Sequence, residues 1–269
     1  MTADTTGRVL ATGGPADAPG GAARTGRSPR VTVVQSSPDA TLDRFADWLG
    51  EVDVRLVRAD LGDAIPGPTE VGDGLVVLGG HMSAHDDAVA PWLPGLRALL
   101  AVVSATDVPA LGICLGAQLL AVARGGRVEL AAPPGREAGV VDVRWRPEAE
   151  QDALLSGLAR AAGPRRSTAQ ASMHADAVVD LPRGAVWLAS SSTYPFQAFR
   201  IGSAWGVQFH PEASRETLRA WADGHVDVDT EAVVAQADAR ADEVEAAGRA
   251  LAESFAALVR TRAAVRVPV

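Results

Sequence analysis

Residues 109–126 read P-A-L-G-I-C-L-G-A-Q-L-L-A-V-A-R-G-G, and this stretch decides the fold. The apolar run from Pro109 to Ile113 predicts a short buried strand. The run from Leu115 to Arg124 repeats apolar residues at helical spacing and ends in two glycines, which predicts a helix. Cys114, the only cysteine of the chain, lies between the two. The stretch therefore predicts a sharp strand-to-helix turn at a cysteine.

Two glycines, Gly112 and Gly116, flank Cys114 on either side of this turn. A residue on so tight a turn has a strained backbone and needs small neighbours, as in the G-x-nucleophile-x-G elbow of many hydrolases. The thiol also lies at a helix N-terminus, where the positive end of the dipole favours the thiolate. We interpret Cys114 as a nucleophile. The alternative is a buried structural cysteine, which is common for a lone cysteine in an apolar stretch.

Two distant stretches supply the partners that a cysteine nucleophile needs, namely a base, an orienting carboxylate and donors for an oxyanion. Residues 206–212, G-V-Q-F-H-P-E, predict an apolar strand that ends in His210 and Glu212. A Gly-Gly pair follows another apolar strand, Leu75 to Leu78. Open α/β sheets place their sites at the carboxyl ends of strands, so we expect these groups to meet Cys114.

These motifs resemble the class I glutamine amidotransferase domain, which carries a Cys-His-Glu triad. The resemblance extends from about Val31 to about Trp221, and it is strongest to the amidotransferase part of GMP synthetase and its stand-alone relatives. G-G-H-M-S-A-H-D from Gly79 resembles the family's G-G-P-x-S, R-E-A-G from Arg136 its R-E-Y-G, and M-H-A-D from Met173 its S-H-G-D. The motifs occur in the family's order, and together they are highly specific.

The resemblance implies the chemistry of the site. Cys114 attacks the side-chain amide carbon of glutamine, His210 takes and returns the proton, and Glu212 holds the imidazole in one tautomer. The backbone N–H groups of Gly80 and Leu115 are the implied oxyanion hole.

The resemblance also implies substrate contacts by Gln118, Met173 and His174. Gln118 lies one helical turn after the cysteine and would help to hold the substrate. The segment at Met173 and His174 would bind its amino-acid end. The structural alternatives are a buried amide that caps a loop for Gln118 and an ordinary strand edge for Met173 and His174.

Glu137 and Gly139 belong to the R-E-x-G segment and are further implied substrate contacts. Ala138 stands where the family has Tyr, so any contact made by that ring is missing. This difference leaves the affinity for substrate, or its identity, open.

Composition excludes several classes of protein. All 25 basic residues are Arg, so a Walker lysine and a Schiff-base lysine are absent. The net charge of −8 argues against a nucleic-acid partner. No apolar run reaches the roughly 18 residues of a membrane span, and a single cysteine suits a reducing compartment. We expect a cytoplasmic protein without a membrane association or a cofactor.

The loop after the Gly-Gly pair carries His81, His85, Asp86 and Asp87, which are residue types that can bind a metal. Their spacing fits no familiar ligand set, and a solvated loop explains them, so no metal is predicted.

Strands that alternate with helices predict an α/β fold with an open, mostly parallel sheet flanked by helices, of flavodoxin-like type. After Val128 the pattern becomes antiparallel, and a C-terminal helix follows. We predict a disordered segment over residues 1–29, the amidotransferase domain over 30–225 and a helical extension over 226–269. The main predicted elements are strands 31–35, 52–57, 75–78, 109–113, 139–145, 186–190, 196–201 and 205–209, and helices 41–49, 92–103, 115–124 and 214–221.

The extension is predicted as one helix from Thr230 to Arg262. Its apolar stripe predicts packing on its own domain, and a dimer or partner interface is the alternative. The stripe comprises Val233, Ala237, Ala241, Val244, Gly248, Leu251, Phe255 and Leu258.

Three functions follow from these observations. The first is a glutaminase that releases ammonia, which either passes to a separate synthetase or is lost. The chain carries no S-G-G-x-D-S loop and no P-loop, so it does not activate an acceptor with ATP by itself. The second is a stand-alone hydrolase of another γ-glutamyl amide or peptide. The third is a non-enzymatic binding module on the same fold.

Overall fold

The computed structural model describes residues 27–265. Its strands are β1 (Arg30–Gln35), β2 (Asp53–Arg58), β3 (Gly74–Val77), β4 (Ala110–Ile113), β5 (Arg127–Glu129), β6 (Glu137–Trp145), β7 (Ser167–His174), β8 (Ala177–Asp180), β9 (Val186–Ser190), β10 (Ala198–Ile201) and β11 (Ala204–Val207). Its helices are α1 (Phe45–Trp48), α2 (Leu93–Val103), α3 (Leu115–Ala123), α4 (Ser156–Ala161), α5 (Arg215–Asp223), α6 (Thr230–Ala239) and α7 (Ala241–Val265).

Nine strands form one mixed sheet in the order β2-β1-β3-β4-β11-β10-β9-β6-β7. The pairs from β2 to β11 are parallel, and the pairs from β11 to β7 are antiparallel. β5 and β8 pair separately. The predicted fold class, a mostly parallel sheet with an antiparallel extension, is confirmed. β4 lies between β3 and β11, so its carboxyl end is flanked by those of two other parallel strands.

The central strands are apolar at successive positions because both faces of the sheet are covered by helices. All four residues of β3 and of β4 are buried. One core lies between the sheet and α2 and α3, and it includes Leu96 and Leu120. The other core lies between the sheet and α1, α4 and α7, and it includes Phe45 and Phe255. This two-layer burial holds the carboxyl ends of the strands in fixed positions.

The C-terminal helix packs on its own domain, as its apolar stripe predicts. Leu251, Phe255 and Val259 of α7 are fully buried in the core on the sheet. The approach is close, since a β carbon on Gly74 of β3 would come within 2.6 Å of Val259 Cγ2. α7 is therefore part of the central core.

The prediction of one helix over 230–262 is wrong, because two helices meet at Arg240, whose φ of −127° and ψ of 22° are not helical. The Arg240 guanidinium donates to Asp142 Oδ1 on β6 at 2.8 Å and to Glu243 Oε2 at 2.9 Å. The break changes the buried face: Ala241 is exposed, and Val259 is buried more deeply than Leu258. Each helix can therefore follow a different part of the sheet.

The predicted helix over 41–49 is also too long, since only Phe45–Trp48 is helical. Asp43 has a φ of 42°, in the left-handed region, and this interrupts a helix. Its carboxylate accepts hydrogen bonds from the Ser214 backbone N–H and from Thr217 Oγ1, both at 2.6 Å. A long-range contact with the start of α5 thus overrides the local helical pattern.

The predicted disordered segment falls largely outside the described part of the chain, which begins at Arg27. Arg27 donates to the buried carboxylate of Asp73 at 2.9 Å. Asp73 also accepts from the Arg30 backbone N–H at 2.9 Å. The first described residues are thus anchored to the loop before β3. Between residues 27 and 265, no helix combines the length and apolar character that crossing a bilayer requires.

We expect Gly248→Ala to lower the free energy of unfolding by about 1–3 kcal/mol, since added volume in a packed core displaces its neighbours. A β carbon on Gly248 would come within 2.8 Å of Trp48 Cζ3 and would also clash with the carbonyl oxygen of Pro211. Gly157→Ala is the matched control, because its β carbon would lie 4.0 Å from the Ser254 hydroxyl. Chemical denaturation should show a lower free energy of unfolding for Gly248→Ala and not for Gly157→Ala. Equal stability of the two variants would contradict the packing of α7 on Pro211.

Candidate active site

Cys114 forms the turn between β4 and α3 with φ 51° and ψ −106°, an unfavourable conformation for a residue with a side chain. Its backbone N–H donates to Val207 O on β11 at 2.8 Å. The flanking glycines leave no room for side chains: a β carbon on Gly112 would come within 2.8 Å of the Ala117 nitrogen, and one on Gly116 would clash with the Val77 carbonyl. The predicted elbow is therefore present, and close packing holds its strain.

His210 and Glu212 follow β11 and lie beside the elbow. His210 Nδ1 and Glu212 Oε1 are 2.7 Å apart, and both side chains are buried. The His210 backbone N–H donates to Ala171 O at 2.8 Å, which holds the backbone of His210 against β7. The ring of Trp221 packs on the imidazole, with centroids 4.4 Å apart. With Nδ1 engaged by Glu212, Nε2 is the nitrogen left for the thiol.

Burial alone would lower the pKa of His210, because it disfavours the charged imidazolium. The negative charges of Glu212 and Cys114, with hydrogen bonds to both, outweigh burial and raise the pKa of His210 from 6.5 to about 10. The geometry therefore favours the protonated imidazolium form of His210 between Cys114 and Glu212.

A cavity of about 270 Å³ opens above Cys114. Gly80 lies in its wall, and a β carbon there would come within 2.9 Å of Leu115 Cδ2, so the two residues predicted to form the oxyanion hole are in close proximity. Leu115 is the first residue of α3, where a backbone N–H has no partner within its own helix. The lining residues are Asp39, Ala40, Gly80, His81, Cys114, Met173, His210, Ala220, Trp221, Gly224 and His225.

The predicted substrate contacts separate into two groups. Met173 lines the cavity, as a substrate contact requires. Gln118 is buried on α3, where its Nε2 donates to Asp176 O at 2.9 Å and to Gln208 Oε1 at 3.3 Å. The structure thus places Gln118 against a loop and another amide, and its role toward substrate stays a prediction.

Glu137 and His174 face each other behind the cavity wall, with His174 Nε2 3.2 Å from Glu137 Oε2. The carboxylate also accepts from Ser191 Oγ and from Gln197 Nε2, each at 2.6 Å. Burial alone would raise the pKa of Glu137, but hydrogen bonds from His174 and Ser191 outweigh it and hold that pKa below its usual range. These two side chains form an internal polar network, and a contact with substrate stays a prediction.

Gly139 has a φ of 100°, and it lies beneath α6. A β carbon at this position would clash with Gln236 Oε1, which accepts the Val140 backbone N–H at 3.0 Å. The glycine is therefore required for the fit of α6 on β6, whatever its role toward substrate.

Sequence reasoning named His81 only as part of a solvated loop, and it did not identify Asp39 or His225 as part of the cavity rim. Asp39 and His81 lie on loops that follow β1 and β3, and Ser37 Oγ lies 2.7 Å from His81 Nδ1. His225 follows α5, and burial and the charge of Arg136 lower its pKa. The only sequence signal for these rim residues was that each follows a predicted strand or the F-H-P-E motif. Such a position does not say where a loop side chain points. Among residues 27–265 no group of three His, Cys, Asp or Glu side chains could hold a metal ion.

Comparisons with known proteins identify the family of this chain. The family described as "Glutamine amidotransferase class-I" matches residues 42–220. The chain is 37% identical over 144 residues to a GMP synthase [glutamine-hydrolyzing] subunit of Methanosarcina mazei, a match covering 53% of this chain and 65% of that protein. It is 37% identical over 142 residues to GMP synthase [glutamine-hydrolyzing] of Porphyromonas gingivalis, covering 52% of this chain and 24% of that protein. This chain thus spans less than two thirds of either relative.

Two solved structures are similar over most of the chain. A glutamine amidotransferase of Thermotoga maritima gives a TM-score of 0.72 at 25% identity, over 85% of this chain and 98% of that chain. A glutamine amido transferase of Methylobacillus flagellatus gives a TM-score of 0.71 at 28% identity, over 87% and 95%. The family match covers most of the chain and includes the elbow and the F-H-P-E motif. The chain therefore belongs to the class I glutamine amidotransferase family.

Proposed function

We propose that this protein hydrolyses the side-chain amide of glutamine through a thioester on Cys114. The observation that carries the proposal is the buried His210–Glu212 pair beside a strained cysteine elbow, at the base of a cavity. A strained, buried nucleophile with an oriented base is the arrangement that acyl transfer requires.

The first half-reaction transfers the glutamyl group to sulfur. The Cys114 thiolate attacks the amide carbon, a C–S bond forms and the carbonyl oxygen becomes an oxyanion. The His210 imidazolium gives its proton to the amide nitrogen, the C–N bond breaks and ammonia leaves. Glu212 stabilises the imidazolium before this transfer, because its carboxylate lies 2.7 Å from Nδ1.

The second half-reaction releases glutamate. Neutral His210 removes a proton from water, and the resulting hydroxide attacks the thioester carbon. The tetrahedral intermediate then collapses, and the thiolate of Cys114 leaves beside the imidazolium. The backbone N–H groups of Gly80 and Leu115 would stabilise the oxyanion in both steps, since fixed donors cost no reorganisation.

We propose further that a separate synthetase uses the ammonia. The relative in Methanosarcina mazei is named as one subunit of GMP synthase, and such a name implies another subunit. The 269 residues hold neither a P-loop nor a pyrophosphatase loop, so this chain's own motifs do not supply an ATP-activated acceptor. On this proposal the protein acts in the cytoplasm as a glutaminase that supplies ammonia.

One observation favours a second candidate, the hydrolysis of another γ-glutamyl amide. Ala138 lies directly across from Met173 in the β6–β7 pair, and Met173 lines the cavity. A tyrosine at 138 would add an aromatic ring next to this part of the wall, and alanine does not. A larger leaving amine could then be accepted. Ammonia release from glutamine, compared with amine release from γ-glutamyl amides, distinguishes the two.

We expect Cys114→Ala and Cys114→Ser to lose amide hydrolysis by more than about a hundredfold while the fold survives, because removal of a nucleophile usually costs orders of magnitude. Ammonia release measures turnover, and circular dichroism measures the fold. Cys114 is the only thiol, so no other cysteine can substitute. Turnover above about a hundredth of wild type would exclude Cys114 as the nucleophile.

We expect Glu212→Gln to reduce turnover and His210→Asn to reduce it further, because the first loses only the charge beside the imidazole and the second loses the base. Iodoacetamide alkylation of Cys114 is a second measurement that needs no substrate, and it should slow in His210→Asn. The control is His85→Asn, since the His85 side chain is exposed and lies outside the cavity wall. Equal alkylation rates in His210→Asn and wild type at neutral pH would show that His210 does not influence the Cys114 thiol.

The raised pKa of His210 predicts a pH dependence of stability. A pKa that is higher in the folded state adds stability below the unfolded value, and this is lost as pH rises through the folded value. The melting-temperature difference between wild type and His210→Asn should therefore be largest below about pH 6.5 and shrink toward pH 10. Differential scanning calorimetry across this range measures it, and a difference that stays constant would contradict a buried imidazolium.

A further inference from the structure

Gln208 contacts the sulfur of Cys114. It directly precedes the F-H-P-E motif, and that motif gives it no role. It comes directly after β11 and is 2% exposed. Its Nε2 lies 3.6 Å from Cys114 Sγ, within the range of a hydrogen bond to sulfur. Its backbone N–H donates to Gln197 O at 2.9 Å, which fixes the residue in the sheet. The side chain is therefore buried, anchored and directed at the predicted nucleophile.

The neighbouring groups determine which end of the Gln208 amide faces the sulfur. A backbone carbonyl only accepts hydrogen bonds, so the Gln118 atom 2.9 Å from Asp176 O must be the NH₂ group. The second hydrogen of that NH₂ points to Gln208, whose nearest atom, at 3.3 Å, must then be the carbonyl oxygen. The NH₂ group of Gln208 is left to face Cys114. Amide orientations are assigned from hydrogen-bond networks, and here a backbone carbonyl sets the polarity of the chain of bonds.

We propose that Gln208 is a positioning residue that donates a hydrogen bond to the Cys114 sulfur and stabilises its thiolate. Gln118 orients Gln208, so the polarity set at the Asp176 carbonyl passes through two amides to the sulfur. The proposal deepens the proposed function, on which it rests for the role of Cys114 as the nucleophile.

The chemistry of an amide donor differs from that of the imidazole. Hydrogen bonds to a charged acceptor are stronger than those to a neutral one, so the bond favours the thiolate over the thiol. Gln208 is uncharged and does not titrate, so the donor itself is present at every pH. The titratable groups that share the cavity with Cys114 are His210 and Asp39, His81 and His225 on the rim, with Glu212 behind His210.

The chain of hydrogen bonds from Asp176 O through Gln118 and Gln208 to the sulfur, here called the relay, also gives Gln118 a role that does not need substrate. Both hydrogens of its NH₂ group are used, one by Asp176 O and one by Gln208 Oε1. A direct substrate contact by Gln118 would affect the binding of glutamine only. A role in the relay would affect the free enzyme, and this difference can be measured.

The test is the pH profile of Cys114 alkylation by iodoacetamide in the full-length protein without substrate. The variants are Gln208→Met, which keeps the length and removes the donor, and Gln208→Asn, which keeps an amide that is too short to reach the sulfur. Gln170→Met is the matched control, because Gln170 is also a fully buried amide in the sheet, and its Nε2 donates to Thr168 Oγ1. Melting temperatures verify that each variant is folded.

We expect both Gln208 variants to move the profile to higher pH, with alkylation about tenfold slower on its rising limb. Gln170→Met should keep the wild-type profile. A wild-type profile in a folded Gln208→Met or Gln208→Asn variant would overturn the proposal. If one of the two does not fold, the other decides. A shift of the same size in Gln170→Met would also overturn it, since the effect would then come from any buried amide.

Gln118→Met tests the relay separately. We expect a shift in the same direction, because Gln208 loses the partner that orients it. An unchanged profile with a raised KM for glutamine would overturn the relay and leave Gln118 as a substrate contact. The alkylation readout needs no turnover, so a protein that does not hydrolyse glutamine would disprove the proposed function without affecting this result.

Discussion

The positive φ of Cys114 is the constraint on which the site depends. An L residue adopts this conformation only when its surroundings compensate for a cost of order 1–3 kcal/mol. Here the Cys114 N–H is held by the Val207 carbonyl of the neighbouring strand, and two glycines allow α3 to pack against β3 and β4. The strain directs the thiol out of the sheet, toward the residues that follow β11. The parallel core thus supplies the rigidity that a reactive side chain needs.

The C-terminal helix extends this constraint to the segment that carries His210. α7 packs against the opposite core, and its Gly248 lies against Pro211, the residue between His210 and Glu212. Trp221 of α5 covers the imidazole from another side, and its indole N–H donates to Asp39 O at 3.2 Å. The orientation of the imidazole therefore depends on elements far from it in sequence. The sequence suggests that α7 is only an extension, but in the structure it helps to support the site.

Burial and polarity act together around the thiol. The negative charge of Glu212 stabilises the imidazolium of His210, and Gln208 places a neutral N–H donor beside the sulfur of Cys114. Glu137 and His174 satisfy each other in a separate network, which keeps a buried carboxylate paired. This network lies behind the cavity, while Asp39, His81 and His225 line the rim beside Trp221.

The sequence by itself determined the features that depend on local patterns. The strand–cysteine–helix turn and the central strands follow from hydrophobic spacing and from small glycines beside the cysteine, and the His-Pro-Glu segment follows from its motif. Only the tertiary structure decided the break at Arg240, the left-handed Asp43 and the direction of the Gln118 and Gln208 amides. The reason is physical: the partners of Gln118 are 58 and 90 residues away in the chain, and no local pattern specifies which strands bring them together. Periodicity says which residues are buried, and packing alone says what they touch.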